Sequence, residues 1–185
     1  GIALKSAGQI EPALHSYRKA IEIDPNFAEA FYNMGNLFKD EGNLEDAKRC
    51  FKSSLAIEAG LCEAHFNLGV IYKTQGKLDQ AINSYSQAVE VNPMLHEGYN
   101  NLGLCLQDQG DLSAALKTFQ AAVKLQPDYT DAIYNMGNVL KDMDDFAGAV
   151  SCFQDLIKID PSYDRAQHLL NALTGQTTQT PPQDY

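Results

Sequence analysis

Residues 31–40 read FYNMGNLFKD, and the phrase returns as HFNLGVIYKT at 65–74, YNNLGLCLQD at 99–108 and IYNMGNVLKD at 133–142. Each copy starts 34 positions after the one before, so Asn33, Asn67, Asn101 and Asn135 stand in one column. Other columns keep the same step: Gly35, Gly69, Gly103 and Gly137; Ala47, Ala81, Ala115 and Ala149; Phe51, Tyr85, Phe119 and Phe153; Pro93, Pro127 and Pro161. A constant period of roughly 20–50 residues marks an architecture in which one supersecondary unit is stacked repeatedly. The units run 28–61, 62–95, 96–129 and 130–163.

Within a unit, apolar residues recur at i, i+3, i+4 and i+7, the spacing of an amphipathic helix rather than the alternation of a strand. Ala30, Phe31, Met34, Leu37 and Phe38 fall on one stripe of a first helix. Gly42 stops that helix, because glycine accepts the left-handed conformation of a helix end. A second helix from about Leu44 to Ile57 turns Leu44, Ala47, Phe51, Ser54 and Leu55 inward, and proline closes most units. Glycine inside a helix costs about 1 kcal/mol relative to alanine. Gly35 and its equivalents therefore imply two helices in close approach, with the aromatic column filling the space beside them. One such hairpin has too little core to stand alone and must be covered by its neighbours.

The pattern resembles the tetratricopeptide repeat, a 34-residue unit carrying a bulky residue, Leu-Gly, another bulky residue, then Ala, an aromatic and Pro. Tyr99, Leu102-Gly103, Leu106, Ala115, Phe119 and Pro127 meet it here, and the resemblance spans residues 1–173. It implies an all-α solenoid of helical hairpins coiled into a right-handed superhelix. Its parts would be the four full repeats, a partial repeat at 1–27, a capping helix at 164–173 and a Thr/Gln/Pro linker at 174–185 leading to a missing region. In register Gly1 matches Gly35, so the chain is expected to be a fragment cut within a first helix. Ala59 stands in a proline place, and three departures imply local repacking: Asp144 in the place of the turn glycine, Leu156 in that of the second small residue, and His65 in a bulky apolar one.

Composition narrows the partner. The 185 residues carry a formal net charge of −10 with no lysine and arginine run, which argues against a nucleic-acid surface. No segment nears the roughly 18 consecutive apolar residues of a membrane-spanning helix, so neither nucleic acid nor membrane is the expected partner. Cys50, Cys62, Cys105 and Cys152 are scattered, without C-x-x-C, and read as reduced core thiols of a cytoplasmic protein. Nucleophile motifs, phosphate-cradling glycine loops and H-E-x-x-H are missing, so no catalytic residue and no cofactor is expected in this chain. Cys62, His65 and His96 form a conceivable metal trio, against which stands the reading of a core thiol and two ordinary histidines, since structural zinc takes closely spaced four-ligand sets. The expectation is no metal.

Opposite the buried stripe of the first helices, a polar face runs along each. Glu29, Asn33, Asn36 and Asp40 make it in the first full unit; Glu63, Asn67, Val70 and Thr74, then Glu97, Asn101, Leu104 and Asp108, then Asp131, Asn135, Asn138 and Asp142 follow. Tyr32, Phe66, Asn100 and Tyr134 flank it, and Lys39, Lys73, Gln107 and Lys141 line its other end. The resemblance implies that this face lines a concave groove. Aromatic rings on an exposed face ask for something to cover them, and an amide offers a donor and an acceptor to a peptide backbone while ignoring its side chains. With helices roughly 9–10 Å apart and an extended peptide advancing about 3.3 Å per residue, one asparagine meets the ligand at about every third residue. The competing reading has the asparagines bond to the neighbouring repeat and hold its pitch.

The column resembles the asparagine ladder of O-linked N-acetylglucosamine transferases, which implies backbone recognition of a protein substrate. It does not resemble the basic clamp of chaperone-binding repeats. LNALTGQTTQTPPQDY, from Leu170, looks like the segment that joins such repeats to methyltransferase domains. Two functions follow: a non-catalytic scaffold binding an extended peptide or protein segment, or the recruiting arm of a larger methyltransferase or glycosyltransferase. Oligomeric state is left open.

Overall fold

A computed structural model describes residues 10–175, which form ten helices and no strand among the described residues. Contacts divide the chain into two units, Gly1–Pro93 and Met94–Tyr185. The first holds α1 (Ile10–Ile23), α2 (Ala28–Asp40), α3 (Leu44–Ile57), α4 (Cys62–Thr74) and α5 (Leu78–Val91). The second holds α6 (His96–Gln109), α7 (Leu112–Leu125), α8 (Thr130–Asp142), α9 (Phe146–Ile159) and α10 (Asp164–Thr174). Helices pair as α2/α3, α4/α5, α6/α7 and α8/α9, and α1 packs on α2, α3 on α4, α7 on α8 and α9 on α10. This is the expected all-α order of helical hairpins. The capping helix extends one residue past its expected end, to Thr174, and Gly175 closes it at φ 71°. The linker expected from 174 lies, from 176 on, outside the described residues, as do residues 1–9 of the partial repeat.

Each hairpin is built around the glycine–aromatic pair. Phe51, Tyr85, Phe119 and Phe153 are all fully buried, at 0–1% exposure. A Cβ placed on Gly69 would sit 2.6 Å from the Tyr85 ring, and one on Gly103 would sit 2.6 Å from that of Phe119. Alanine would be the better helix former, but the ring occupies the space its methyl group needs. Leu156, where the other second helices have Ser54, Ala88 or Ala122, is fully buried too. It belongs to a cluster with Phe153 and Ala166, flanked by Leu169, Leu170 and Leu173 of α10. The larger side chain is therefore accommodated against the capping helix. Ser54 keeps the small volume, and its buried hydroxyl donates to the Phe51 carbonyl at 2.8 Å.

Turns between the paired helices use left-handed backbone. Gly110 sits at φ 89°, and in the last hairpin Asp144 takes the same role at φ 63°. The next residue caps the second helix: Asp111 accepts from Ala114 N at 2.9 Å, and Asp145 from Gly148 N at 2.9 Å. A side chain in left-handed backbone is strained, by up to about 1–2 kcal/mol and less for Asp than for most residues. Asp144→Gly should accordingly stabilise the chain by about 0.5–1 kcal/mol, raising the urea midpoint; an unchanged or lower midpoint contradicts this account.

All four cysteines are buried, and none is in a disulfide. Burial, followed by nearby carboxylates, pushes the Cys50 and Cys152 thiols up to about 11. Because the folded-state values are raised, the stability these thiols contribute is complete below the unfolded value near 9 and is lost as pH rises toward 11. Between those two pH values the native chain should lose more melting temperature than the Cys50→Ala/Cys152→Ala variant, measured by calorimetry.

Candidate peptide-binding face

In the first unit the polar columns stand on α2 and α4. Asn33, Asn36 and Lys39 are half-buried along α2, and Lys73 is half-buried near the end of α4. Asn67 is only 7% exposed. Its amide is engaged at both ends: Nδ2 donates to Asn36 Oδ1 at 3.2 Å, and Oδ1 accepts from Lys39 Nζ at 2.8 Å. Three expected site residues thus meet in one network that ties α4 to α2.

In the second unit the same column behaves differently. Leu104 stands where Asn36 stands in the first, so it offers no amide. Asn135 Nδ2 donates instead to Asn100 Oδ1 at 3.0 Å. Asn100, at 5% exposure, is a buried amide in the place that Tyr32, Phe66 and Tyr134 fill with rings. It also hydrogen-bonds Tyr129, whose phenol is pushed up by burial and then by Asp131 and Glu97, the Asn100 bond working the other way. Asn101 Nδ2 donates to the Glu97 carbonyl at 2.9 Å and Asn138 Nδ2 to the Tyr134 carbonyl at 3.1 Å. Both bonds are local to one helix. Asn101, Asn135 and Asn138 are half-buried, and each donates one side-chain N–H to the protein. Lys141 Nζ lies 3.6 Å from Asp142, which also accepts from Gln107 Nε2 at 3.3 Å.

The flanking rings are not bare. Tyr32 packs on Phe51 at 5.8 Å between centroids, Phe66 edge-on against Tyr85 at 5.6 Å, and Tyr134 against both Phe153 at 6.1 Å and Tyr163 at 5.4 Å. Each lies half-buried on the aromatic column of its own hairpin, a contact worth about 0.5–1.5 kcal/mol beyond area burial, so part of each ring is already covered within the protein. The competing reading, an asparagine bonded to the neighbouring repeat, describes Asn67, although sequence reasoning did not name Asn36 and Lys39 as its partners. Their signal was spacing: Asn67 follows Asn36 by 31 positions and Lys39 by 28, which is one repeat less about one helical turn and one repeat less nearly two.

The residues of the conceivable metal trio have separate engagements. Cys62 Sγ donates to the Ala88 carbonyl at 3.4 Å, His65 Nε2 lies 3.0 Å from the Ala59 carbonyl, and His96 stands edge-on to Tyr129 at 5.0 Å. No group of His, Cys, Asp and Glu among the described residues could hold a metal ion.

Family models for this repeat match most of the chain. One described as "TPR repeat" matches 1–42 and 71–110, and two described as "Tetratricopeptide repeat" match 28–60 and 106–181. The chain is a tetratricopeptide-repeat protein. Among solved tetratricopeptide-like structures, MamA has a TM-score of 0.80 at 21% identity, covering 88% of this chain and 95% of its own. YrrB, described as a TPR protein with an unusual peptide-binding site, has a TM-score of 0.79 at 29% identity, covering 90% and 86%. PilF of Pseudomonas aeruginosa has a TM-score of 0.79 at 20% identity, covering 95% and 82%. MamA and PilF, at these identities, speak for the fold alone. No curated protein matches the chain.

Proposed function

We propose that the chain is a non-catalytic protein-interaction module that holds an extended peptide segment along the polar face of its first helices. The tetratricopeptide fold and the likeness to YrrB support this reading. One observation carries it: Asn101 and Asn138 fix their amides by donating to their own helix backbone, which leaves ordered oxygens in a half-buried polar column. Oxygens held in this way suit the N–H groups of an extended backbone, which repeat regardless of side chain. The ladder then has two kinds of member. In the second unit Asn101, Asn135 and Asn138 serve the ligand, with Lys141 at the far end of their face; in the first, Asn33 and Lys73 do so, whereas Asn67 with Asn36 and Lys39 holds two helices together. Four buried cysteines outside any disulfide support a reducing, cytoplasmic setting. As the recruiting arm of a larger methyltransferase or glycosyltransferase, the module would do the same work, presenting a bound segment to a catalytic domain.

A peptide array probed with the full chain, its hits titrated by calorimetry, tests the proposal. Asn101→Ala with Asn138→Ala should weaken the selected peptides about tenfold, the loss of two hydrogen bonds at about 0.5–1.5 kcal/mol each. Unchanged affinity in that variant overturns the ladder.

A further inference from the structure

A second surface lies on the opposite side of α2. Phe31 and Phe38 are about 200° around the helix from Asn33 and Asn36, and with Met34 and Cys50 they floor a cleft of about 440 Å³ between α1, α2 and α3. Arg18 of α1 and Arg49 of α3 stand on its rim, both exposed. Asp46, which also lines the cleft, forms an ion pair with Arg49, whose side chain is still 79% exposed. The chain has three arginines and a net charge of −10, so two of its three guanidinium groups border one apolar-floored cleft in an otherwise acidic protein.

The equivalent cleft one repeat on is built differently. His65 replaces Phe31 there, Ser84 replaces Cys50 and Asn83 replaces Arg49; Leu68 and Tyr72 keep the places of Met34 and Phe38, and Lys52 stands in that of Arg18, so a single ammonium group takes the place of two guanidinium groups. In the second unit, the cleft around Ile133, Met136 and Cys152 has an apolar floor, but its rim charges are Asp155 and Lys158, paired at 2.8 Å. Of these three clefts, this one alone carries guanidinium groups on its rim.

We infer that the cleft between α1, α2 and α3 is a docking site for a short acidic segment of a partner protein, one apolar side chain seated on Phe31, Met34 and Phe38 and flanking carboxylates held by Arg18 and Arg49. The charge on the rim selects this occupant. A guanidinium has five N–H donors in a planar fork that matches a carboxylate edge on. With one edge of Arg49 on Asp46, its other donors are still available to a ligand. The floor gives the anchoring energy, because leucine or phenylalanine leaving water gains about 1.5–3 kcal/mol when fully buried. The acidic remainder of the chain repels the same segment, so attraction is confined to the rim.

The test is fluorescence anisotropy of a labelled synthetic peptide, a Leu-Phe pair flanked by glutamates, titrated with the full chain. Saturable binding that weakens with salt is expected, falling at least about tenfold with Arg18→Glu/Arg49→Glu and likewise when the Leu-Phe pair is changed to serines. Both arginines are exposed, so the variant should fold; in the wild-type chain, amide chemical-shift changes on peptide addition should centre on Phe31, Met34, Phe38 and Cys50. Shifts along the Asn33 and Asn36 side of α2 instead, equal binding of a lysine-flanked peptide, or no saturation would each overturn the inference. So would a sedimentation-detected dimer abolished by the arginine reversal, which would make a second copy of the chain the occupant.

Discussion

Phe119→Ala is expected to lower the unfolding free energy by about 3–5 kcal/mol, the range for truncating a fully buried aromatic. The ring is at 0% exposure and clusters with Ala115 of α7 and Val139 of α8, with Leu106, Leu112 and Leu116 around it. It joins a hairpin to its successor, so the vacated volume opens in the interface that makes the stack cooperative. Nothing nearby can fill it cheaply: the atom facing the ring across α6 is the α-carbon of Gly103, where a Cβ would come within 2.6 Å of Phe119 Cε1. The same closeness gives the reciprocal result. Gly103→Ala should cost about 1–3 kcal/mol through overpacking, outweighing the roughly 1 kcal/mol of helix propensity it gains. Combined with Phe119→Leu, it should cost less than the sum of the two single changes, by a coupling of about 0.5–3 kcal/mol. Urea denaturation measures Phe119→Ala, the two single variants of the cycle and their combination. Strict additivity of Gly103→Ala and Phe119→Leu would mean that the glycine column is kept for some reason other than this contact.

That contact was readable before any coordinates. A glycine in mid-helix, an alanine twelve positions later and an aromatic four beyond that recur at a period of 34, and only close helix packing explains a glycine retained where alanine is the better helix former. The hairpins, the left-handed turn at Gly110 and the capping helix follow from the same local rules. The asparagine column was legible as a face but not as chemistry. Asn67 and Asn135 occupy the same column, and their partners differ because Asn36 precedes one and Leu104 stands at the matching place before the other. An amide turns to whichever acceptor the preceding repeat supplies, so its role depends on a pair of positions and not on the column. The partial cover of the flanking rings escaped for a related reason: period-3.6 reasoning puts Tyr32 and Tyr134 at the edge of the apolar stripe, and a large ring at such an edge can fold back onto Phe51 or Phe153.

Asn67→Ala should cost about 1–3 kcal/mol, the penalty for leaving buried or half-buried polar groups without their partner. The alanine methyl group removes the acceptor for the Lys39 ammonium and the donor to Asn36 Oδ1 in a single substitution. Lys39 is half-buried and can recover part of the loss by turning toward water, which places the expected value below that of an enclosed charge. Asn101→Ala, in contrast, removes only a bond to the Glu97 carbonyl of its own helix and should stay within about 0.5 kcal/mol of wild type. At roughly 2–4 °C per kcal/mol for a chain of this size, the two melting temperatures should be clearly resolved by calorimetry. Lys39→Met should reproduce part of the Asn67→Ala loss, and the two together should cost less than their sum, because each breaks the same bond. Equal melting temperatures for Asn67→Ala and Asn101→Ala would return the column to four equivalent members. The division of the ladder into a structural staple on α2 and α4 and ligand-facing oxygens on α6 and α8 would then have to be given up.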